Sequence, residues 1–527
     1  MTGKKGRGRA AAPAGVGRST AVFALWTAVS RIAGLAREIV AAALFGTKGP
    51  INAFVIAFQA PNVVRSLVAD SALSAAFVPV FTQLEEQGRH REARKLAGAL
   101  IGATSLALGL LTALAILTAP WVMPLVAPGL PGDLQDDLVL MTQVMFPIVV
   151  LLGVTGIVVA IQQASGIFGP SAFAPVLWNL SILAALVAGA AVVPAGDRIY
   201  VYAIGIVAGT VAQLAYLAGH LRGLGPFPPS LGLRSRHLRR VLLLMGPVTL
   251  GLGLININAL VDASFATLVS EEAVRAIDAA FRLYILPQGI FSVAISTVLF
   301  PTISRMAARD DRRGMRDAVA AGLRQIAFML APATAFLMVL AEPVVRLVFQ
   351  RGEFDGHSTA ITAEALFFFT IGLAFNGASL LVIRAFFSLQ RPGTPTRVAL
   401  AGALMNAALD AALYAPLGVG GIPLSTSITS IVTFAVLVRL LARELGGLRI
   451  ESVTRGVIQS IAGAALAAVF SWAVFTAIDH AIGRTIGAQL VAVTAAVTAA
   501  AVAFLSVALA FRMPELRQLA RVARPLR

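Results

Sequence analysis

The stretch SRIAGLAREIVAAALFG (residues 30–46), followed by INAFVIAFQAPNVVRSLVADSALSAAFVP (51–79), decides the fold. Each is apolar enough to cross a membrane, yet together they carry Arg31, Arg37, Glu38, Arg65 and Asp70. An arginine at the bilayer centre costs roughly 2.5 to 3.5 kcal/mol on insertion scales, so three cost roughly 8 to 10 unless water or an anion meets them. The pattern points to a water-filled, anion-binding cavity. The competing account is that the arginines snorkel to an interface or pair with the carboxylates, since Glu38 lies seven residues after Arg31 on nearly the same helix face. Three cations against two carboxylates leave one positive charge over, and pairing alone does not remove it.

Composition sets the class. Of 527 residues, 58% are hydrophobic and only 13% charged, with a mean hydropathy of +0.85, which fits a chain made mostly of membrane helices. The absence of cysteine removes disulfides, thiolate metal sites and Cys nucleophiles. The five His show no ligand spacing. A net charge of +17 could suggest nucleic acid, but the Lys and Arg fall in short loops between apolar runs, not in a patch interleaved with aromatics. No nucleic-acid partner is expected. A phosphate loop ending in GK[ST], an HExxH pair and a convincing triad are all missing, so the chain reads as no enzyme.

Beyond the opening pair, apolar runs fall near 97–119, 139–162, 174–193, 199–219, 241–268, 277–303, 318–340, 361–388, 398–416, 422–440, 456–478 and 486–511. That makes about fourteen spans, each near the roughly 20 residues a crossing helix needs. One alternating set of loops carries Arg89, Arg91, Arg94 and Lys95, then Arg234, Arg236, Arg239 and Arg240, then Arg305 to Arg316, then Arg439 to Arg455. The opposite set is poor in Lys and Arg, and the loop with Asp133, Asp136 and Asp137 has none. The positive-inside rule makes the basic set and both termini cytoplasmic.

The expected plan is an all-α polytopic membrane protein of two pseudo-symmetric six-helix lobes plus two C-terminal helices. Residues 1–18 read as a disordered basic tail, 19–221 as an N-lobe, 222–240 as a basic linker, 241–443 as a C-lobe, 444–511 as the two extra helices and 512–527 as a second basic tail. A weak internal repeat supports the two lobes. Pro61 to Pro79 and Pro287 to Pro301 are spaced by eighteen and fourteen residues, each pair has an Arg near its first proline, and the difference is close to one helical turn. Such repeats place a transporter's substrate path between the lobes.

The motifs SRIAGLARE (30–38), PNVVR to AAFVP (61–79), APWVMPLVAPG (119–129), FGPSAFAPVLWN (168–179), MGP (245–247), LVFQRGEF (347–354) and AFFSLQRPGTP (385–395) occur in this order over nearly the whole chain. In that set the sequence resembles the lipid II flippase MurJ/MviN family of the multidrug/oligosaccharidyl-lipid/polysaccharide exporter superfamily. The resemblance implies that Arg31, Arg37, Arg65 and Arg282 line the cavity and bind the diphosphate of lipid II, with Asp70 and Glu38 as cavity acids. Guanidinium groups suit that anion because their fork is bidentate and always charged. Asp70 stands where the family has Glu. Asn52 replaces a usual Asp, and Phe281 precedes Arg282 where an Asp is common, so the cavity is expected to be more positive than in relatives.

The resemblance also implies a sodium site at Asp262, Asn406, Asp410 and Thr426, with the carbonyl of Ile422. Asn406 and Asp410 are four residues apart, hence on one helix face, and hard oxygen ligands suit a hard cation. A polar knot that hydrogen-bonds helices together is the alternative. No other cofactor is implied. The last two helices, rich in Ala and Val, would wall a groove for the isoprenoid tail. The expected function is a flippase moving lipid II from the cytoplasmic to the periplasmic leaflet of the bacterial inner membrane by alternating access, driven by membrane potential or an ion gradient. It would act as a monomer among membrane lipids. The alternatives are another exporter of the superfamily, whose drug-antiporting members should show cavity acids, and a non-transporting scaffold, which needs no buried arginines.

Overall fold

The computed structural model describes residues 14–68, 71–232 and 235–516; side chains 14–24, 65–68, 71–76, 223, 240, 242, 244–257 and 450 lie outside the description. Apolar runs of this length leave a backbone one economical way to satisfy its N–H and C=O groups in hydrocarbon, the helix. The described secondary structure is accordingly helical throughout, with no strand among the described residues.

In chain order the helices are α1 (Ala14–Phe45), α2 (Pro50–Val68), α3 (Ser71–Glu86), α4 (His90–Val126), α5 (Gly132–Met145), α6 (Ile148–Ala164), α7 (Gly169–Val192), α8 (Arg198–Gly219) and α9 (Arg236–Val269). There follow α10 (Ala273–Pro287), α11 (Val293–Ala308), α12 (Arg312–Val339), α13 (Ala341–Phe349), α14 (Gly356–Ser388), α15 (Gly393–Leu417), α16 (Gly421–Leu445), α17 (Ile450–Ile482) and α18 (Ile486–Ala510). Ten stretches among the described residues are long and apolar enough to cross a membrane, and one of them, Gly393–Leu445, holds both α15 and α16. The all-α, polytopic reading is borne out. Leu117, Trp121, Val192 and Leu490 point outward with more than half of their surface open, as lipid-facing side chains do.

Two expected spans are not single α-helices. The run 139–162 breaks between α5 and α6 at Pro147, which has no N–H to donate. The run 277–303 passes from α10 through a π-helical turn, Gln288–Ser292, into α11 just after Pro287. A single π turn inserted in a helix re-aims the side chains that follow it. The short α13 was not foreseen. It buries Val345 and Phe349 and pairs Glu342 with Arg346 one turn apart.

The chain divides into two compact units. Unit 1 comprises residues 1–41, 60–120 and 139–253. Its core joins Phe77, Phe81 and Leu84 of α3 to Leu96 and Leu100 of α4, Ile157 and Ile161 of α6, and Leu217 of α8. Between α7 and α8 the contact is made close by small residues, with Gly209 against Trp178 and Ile182, and Gly189 against Val201.

Unit 2 comprises residues 42–59, 121–138 and 254–527. Leu323, Ile326 and Leu330 of α12 pack on Leu381 and Phe386 of α14 and on Leu437 and Leu441 of α16. The α17–α18 hairpin joins this core through Phe328, Ala467, Phe504 and Ala508. Arg312 and Arg316 donate to the carbonyls of Glu444 and Gly446 at 3.3 Å, capping the C-terminal end of α16. The α1–α2 turn is held within the same unit. Glu353 N–H donates to Ala43 O at 2.9 Å, Thr47 and Ser358 share a hydroxyl bond of 2.8 Å, and Lys48 lies 3.5 Å from Glu272. Gly46 has φ +59° and a Cβ there would stand 2.4 Å from Glu353 O, so only glycine fits.

Candidate functional site

In unit 1, α1 carries the first charges. Arg31 is exposed, whereas Arg37 is 6% and Glu38 4% exposed. Arg37 Nη2 donates to Glu38 Oε1 at 2.6 Å, and its guanidinium lies 4.9 Å from the Trp178 ring centroid, a cation–π distance. Trp178 is itself oriented by an Nε1–H bond to Thr210 at 3.1 Å. Nε and Nη1 of Arg37 have no hydrogen-bond partner among the described residues. A carboxylate and an aromatic face thus hold one edge of a buried guanidinium and leave two donor atoms over. Arg65 belongs to α2, with its side chain outside the described residues, and Asp70 lies outside them altogether.

In unit 2, Arg282 sits on α10 with Asp278 one turn before it, Nε to Oδ2 at 2.9 Å. The same Asp278 oxygen takes Arg275 Nη1 at 3.0 Å, and Arg275 is only 2% exposed. Phe281 stands where the resemblance leads one to expect an aspartate, and the carboxylate serving Arg282 comes from four residues earlier on the same face. Asp278 is not signalled by the position next to Arg282, because the partner of a helical arginine can stand one turn away. Asn52 is fully buried. It donates to Thr47 O at 2.7 Å and accepts from Arg275 N–H at 2.9 Å, satisfying a free donor in the first turn of α10.

The third constellation joins α9, α15 and α16 in unit 2. Asn406 Nδ2 donates to Asp262 Oδ1 at 2.6 Å and to Asp410 Oδ2 at 3.0 Å, so one amide bridges two carboxylates. Asn258 adds a bond of 3.3 Å to Asp262. Ser425 places its hydroxyl against Asp410 Oδ1 and 2.8 Å from the carbonyl of Ile422. Asn406 Oδ1 and Thr426 Oγ1 are buried and have no hydrogen-bond partner among the described residues. The structure therefore gathers Asp262, Asn406, Asp410, Ile422 and Thr426 around one locus, and adds Ser425, which its lone-hydroxyl sequence context concealed.

A groove of about 950 Å³ runs along α17 and α18, lined by Leu466, Phe470, Leu490, Val491, Val502 and Ala503 with Thr494, Thr498 and Ser506. Its wall is almost wholly apolar.

A family model described as lipid II flippase MurJ matches residues 41–512. The chain belongs to this family. It is 32% identical over 418 residues to the lipid II flippase MurJ of Burkholderia cenocepacia, covering 76% of this chain and 79% of that protein. With the probable lipid II flippase MurJ of Buchnera aphidicola it shares 29% over 435 residues, 82% of this chain and 84% of the relative. Among solved structures, a MurJ flippase in an inward closed conformation superposes with a TM-score of 0.78 at 21% identity, covering 93% of this chain and 99% of that one. An inward-facing MATE multidrug transporter of the MOP superfamily gives 0.62 at 14% identity, covering 81% and 94%. These structural likenesses establish a MurJ- and MATE-type fold, and the chain is a multi-pass membrane protein.

Proposed function

We propose that the chain is a lipid II flippase of the bacterial inner membrane, carrying an undecaprenyl-diphosphate-linked peptidoglycan precursor from the cytoplasmic to the periplasmic leaflet by alternating access, without catalysis. The observation that carries this reading is Arg37, whose buried guanidinium keeps two donor atoms without a partner. Glu38 balances the charge of Arg37 but takes only one of its donors, and a diphosphate supplies oxygens for the other two in the spacing a guanidinium fork accepts. Arg31 and Arg65 serve the same anion, and Arg282, held by Asp278, has that role in the second unit. The apolar groove of α17 and α18 suits the prenyl tail, which cannot follow its charged headgroup. The basic loops put both termini in the cytoplasm, and the protein works as a monomer.

Asp262 and Asp410, drawn together by one amide deep in apolar helices, need a positive charge between them. Asn406 Oδ1, Thr426 Oγ1 and the Ile422 carbonyl supply the neutral oxygens of a sodium shell around these carboxylates, and this donor set fits a hard monovalent cation. Sodium bound here would bias the transport cycle by its differential affinity for the two states. Membrane potential acting on the arginines is the other drive. The MATE-type fold gives a drug antiporter the same architecture, but a cavity served by arginines favours an anionic cargo over a cationic drug. The test is depletion of the native protein in cells lacking other flippases, followed by a leaflet-accessibility assay for lipid II. Unchanged arrival of lipid II at the outer leaflet sinks the assignment.

A further inference from the structure

A second pocket, of about 750 Å³, opens in unit 2 beside α12, the first turns of α17 and the residues that follow α18. It lies at the end of the unit where Arg312 and Arg316, in the first turns of α12, cap α16: Arg449, which lines it, pairs with Asp317 of α12 at 2.7 Å. Its charged lining is Arg324, Arg449, Arg455, Arg512, Glu451 and Glu515, two positive charges in excess. Arg324 is committed, donating through Nε to Glu515 Oε1 at 2.8 Å and through Nη1 to the Ser452 hydroxyl. Gly456 lets its stem pass, since a Cβ there would stand 2.7 Å from Arg324 Cδ. Arg455 and Arg512 are exposed and make no ion pair among the described residues. Glu515 is 2% exposed, and its Oε2 has no hydrogen-bond partner among the described residues. The apolar side chains of Leu448 and Phe511 line the same pocket.

We infer that this pocket binds the headgroup of phosphatidylglycerol: Arg455 and Arg512 take the phosphodiester, and a glycerol hydroxyl donates to Glu515 Oε2. Basic pockets between helix ends at a membrane face recognise anionic lipid headgroups, and the volume lies within the roughly 300 to 1,000 Å³ of small-ligand sites. The buried carboxylate oxygen narrows the chemistry. A phosphodiester carrying a hydroxyl presents acceptors to the arginines and a donor to Glu515, and unlike free phosphate it also brings acyl chains to Leu448 and Phe511. A choline headgroup has the phosphodiester and no donor. Leu448 and Phe511 then meet the start of the acyl chains. The ligand sits where the α17–α18 hairpin joins α12, so its binding stabilises that junction whatever lipid the protein transports.

The test is thermal unfolding of the full-length protein in detergent, titrated with dioctanoyl phosphatidylglycerol, dioctanoyl phosphatidylcholine or inorganic phosphate. Phosphatidylglycerol should raise the melting temperature saturably, and the other two should do so far less. The double variant Arg455→Gln/Arg512→Gln, both exposed and therefore expected to fold, should raise the half-saturating concentration of phosphatidylglycerol by about tenfold or more. Glu515→Gln should bring the phosphatidylglycerol response down to that of phosphatidylcholine; should this variant not fold, the comparison of the two lipids on wild type decides the donor requirement. Equal stabilisation by inorganic phosphate makes the site one for free phosphate, and equal stabilisation by phosphatidylcholine, or an undiminished response in the double variant, removes headgroup recognition. No shift with phosphatidylglycerol in wild type overturns the proposal outright.

Discussion

The two units treat buried charge in opposite ways. In unit 1, Arg37 is held by one carboxylate and one indole face and keeps two donor atoms unspent. In unit 2, Asp262 and Asp410 are knit together by an amide, a hydroxyl and Asn258, and what stays unspent is a pair of neutral oxygens. Under the proposed function the first arrangement takes an anion and the second a cation. A half-satisfied polar network costs more than an apolar core of the same shape, so each deficit points to a ligand that completes it. Arg275 and Asp278 add a second buried arginine–carboxylate pair, within unit 2, and Asp278 there serves Arg282 as well.

The largest effect should come from the unit 1 deficit. Arg37→Ala should leave insertion and protein level unchanged and reduce lipid II flipping by at least tenfold to a hundredfold, at about 1.5 to 3 kcal/mol per charged hydrogen bond lost. Arg37→Lys should restore a part only, because an ammonium has no bidentate fork. Full flipping by Arg37→Ala in a leaflet-accessibility assay would erase the contrast between the units.

Asp278→Ala tests the internally paired case. Arg275 would be left buried without its carboxylate, which costs about 3 to 5 kcal/mol, measured as a lower denaturation midpoint of purified protein. A near-neutral result would show that Arg275 finds compensation elsewhere and that the pair is not what steadies Arg282.

The acidic knot should respond to ions. Wild type should be stabilised by sodium over potassium or choline at equal ionic strength, by up to about 2.7 kcal/mol at a hundred times the dissociation constant. Asp410→Asn should abolish the sodium-specific part. An equal response to all three cations would reduce the knot to helix-to-helix hydrogen bonding.

The smallest effect serves as a baseline outside the membrane. Asp355 caps α14, accepting from Ser358 N–H at 2.8 Å, and this bond holds its carboxyl below the usual carboxylate range. The capping contribution, about 1 kcal/mol, is complete above the unfolded carboxylate's pKa and disappears as pH falls through the depressed folded value. Asp355→Ala should therefore lower stability at neutral pH and flatten its acid limb, with solvent screening keeping the change small.

Much of this was legible in the sequence because hydrocarbon enforces a simple rule: long apolar runs become helices, and charges within them need a reason. Arg37 and Glu38 stood out on that ground alone, whereas Asn406 and Asp410 came in with the family resemblance and were supported by their four-residue spacing on one face. Other features depend on which side chains meet across elements, which periodicity does not encode. Asp278 replaces an expected neighbour of Arg282 from one turn away, Ser425 reaches Asp410 from another helix, and Glu515 meets Arg324 across 191 residues. The π turn after Pro287 was hidden because proline tells where a helix is disturbed, not by how many residues its ladder slips.

The α1–α2 turn also sets a timetable for synthesis. Thr47 finds its hydroxyl partner 311 residues later in the chain, and Gly49 donates to Glu271, 222 residues on. At roughly 5 to 20 residues per second, the first of the chain's turns must wait roughly 15 to 60 s after emerging before its last partner exists. During that interval the charged first helix lies in the bilayer without these contacts, and a nascent chain truncated before Ser358 should keep the turn open to water-soluble labelling reagents.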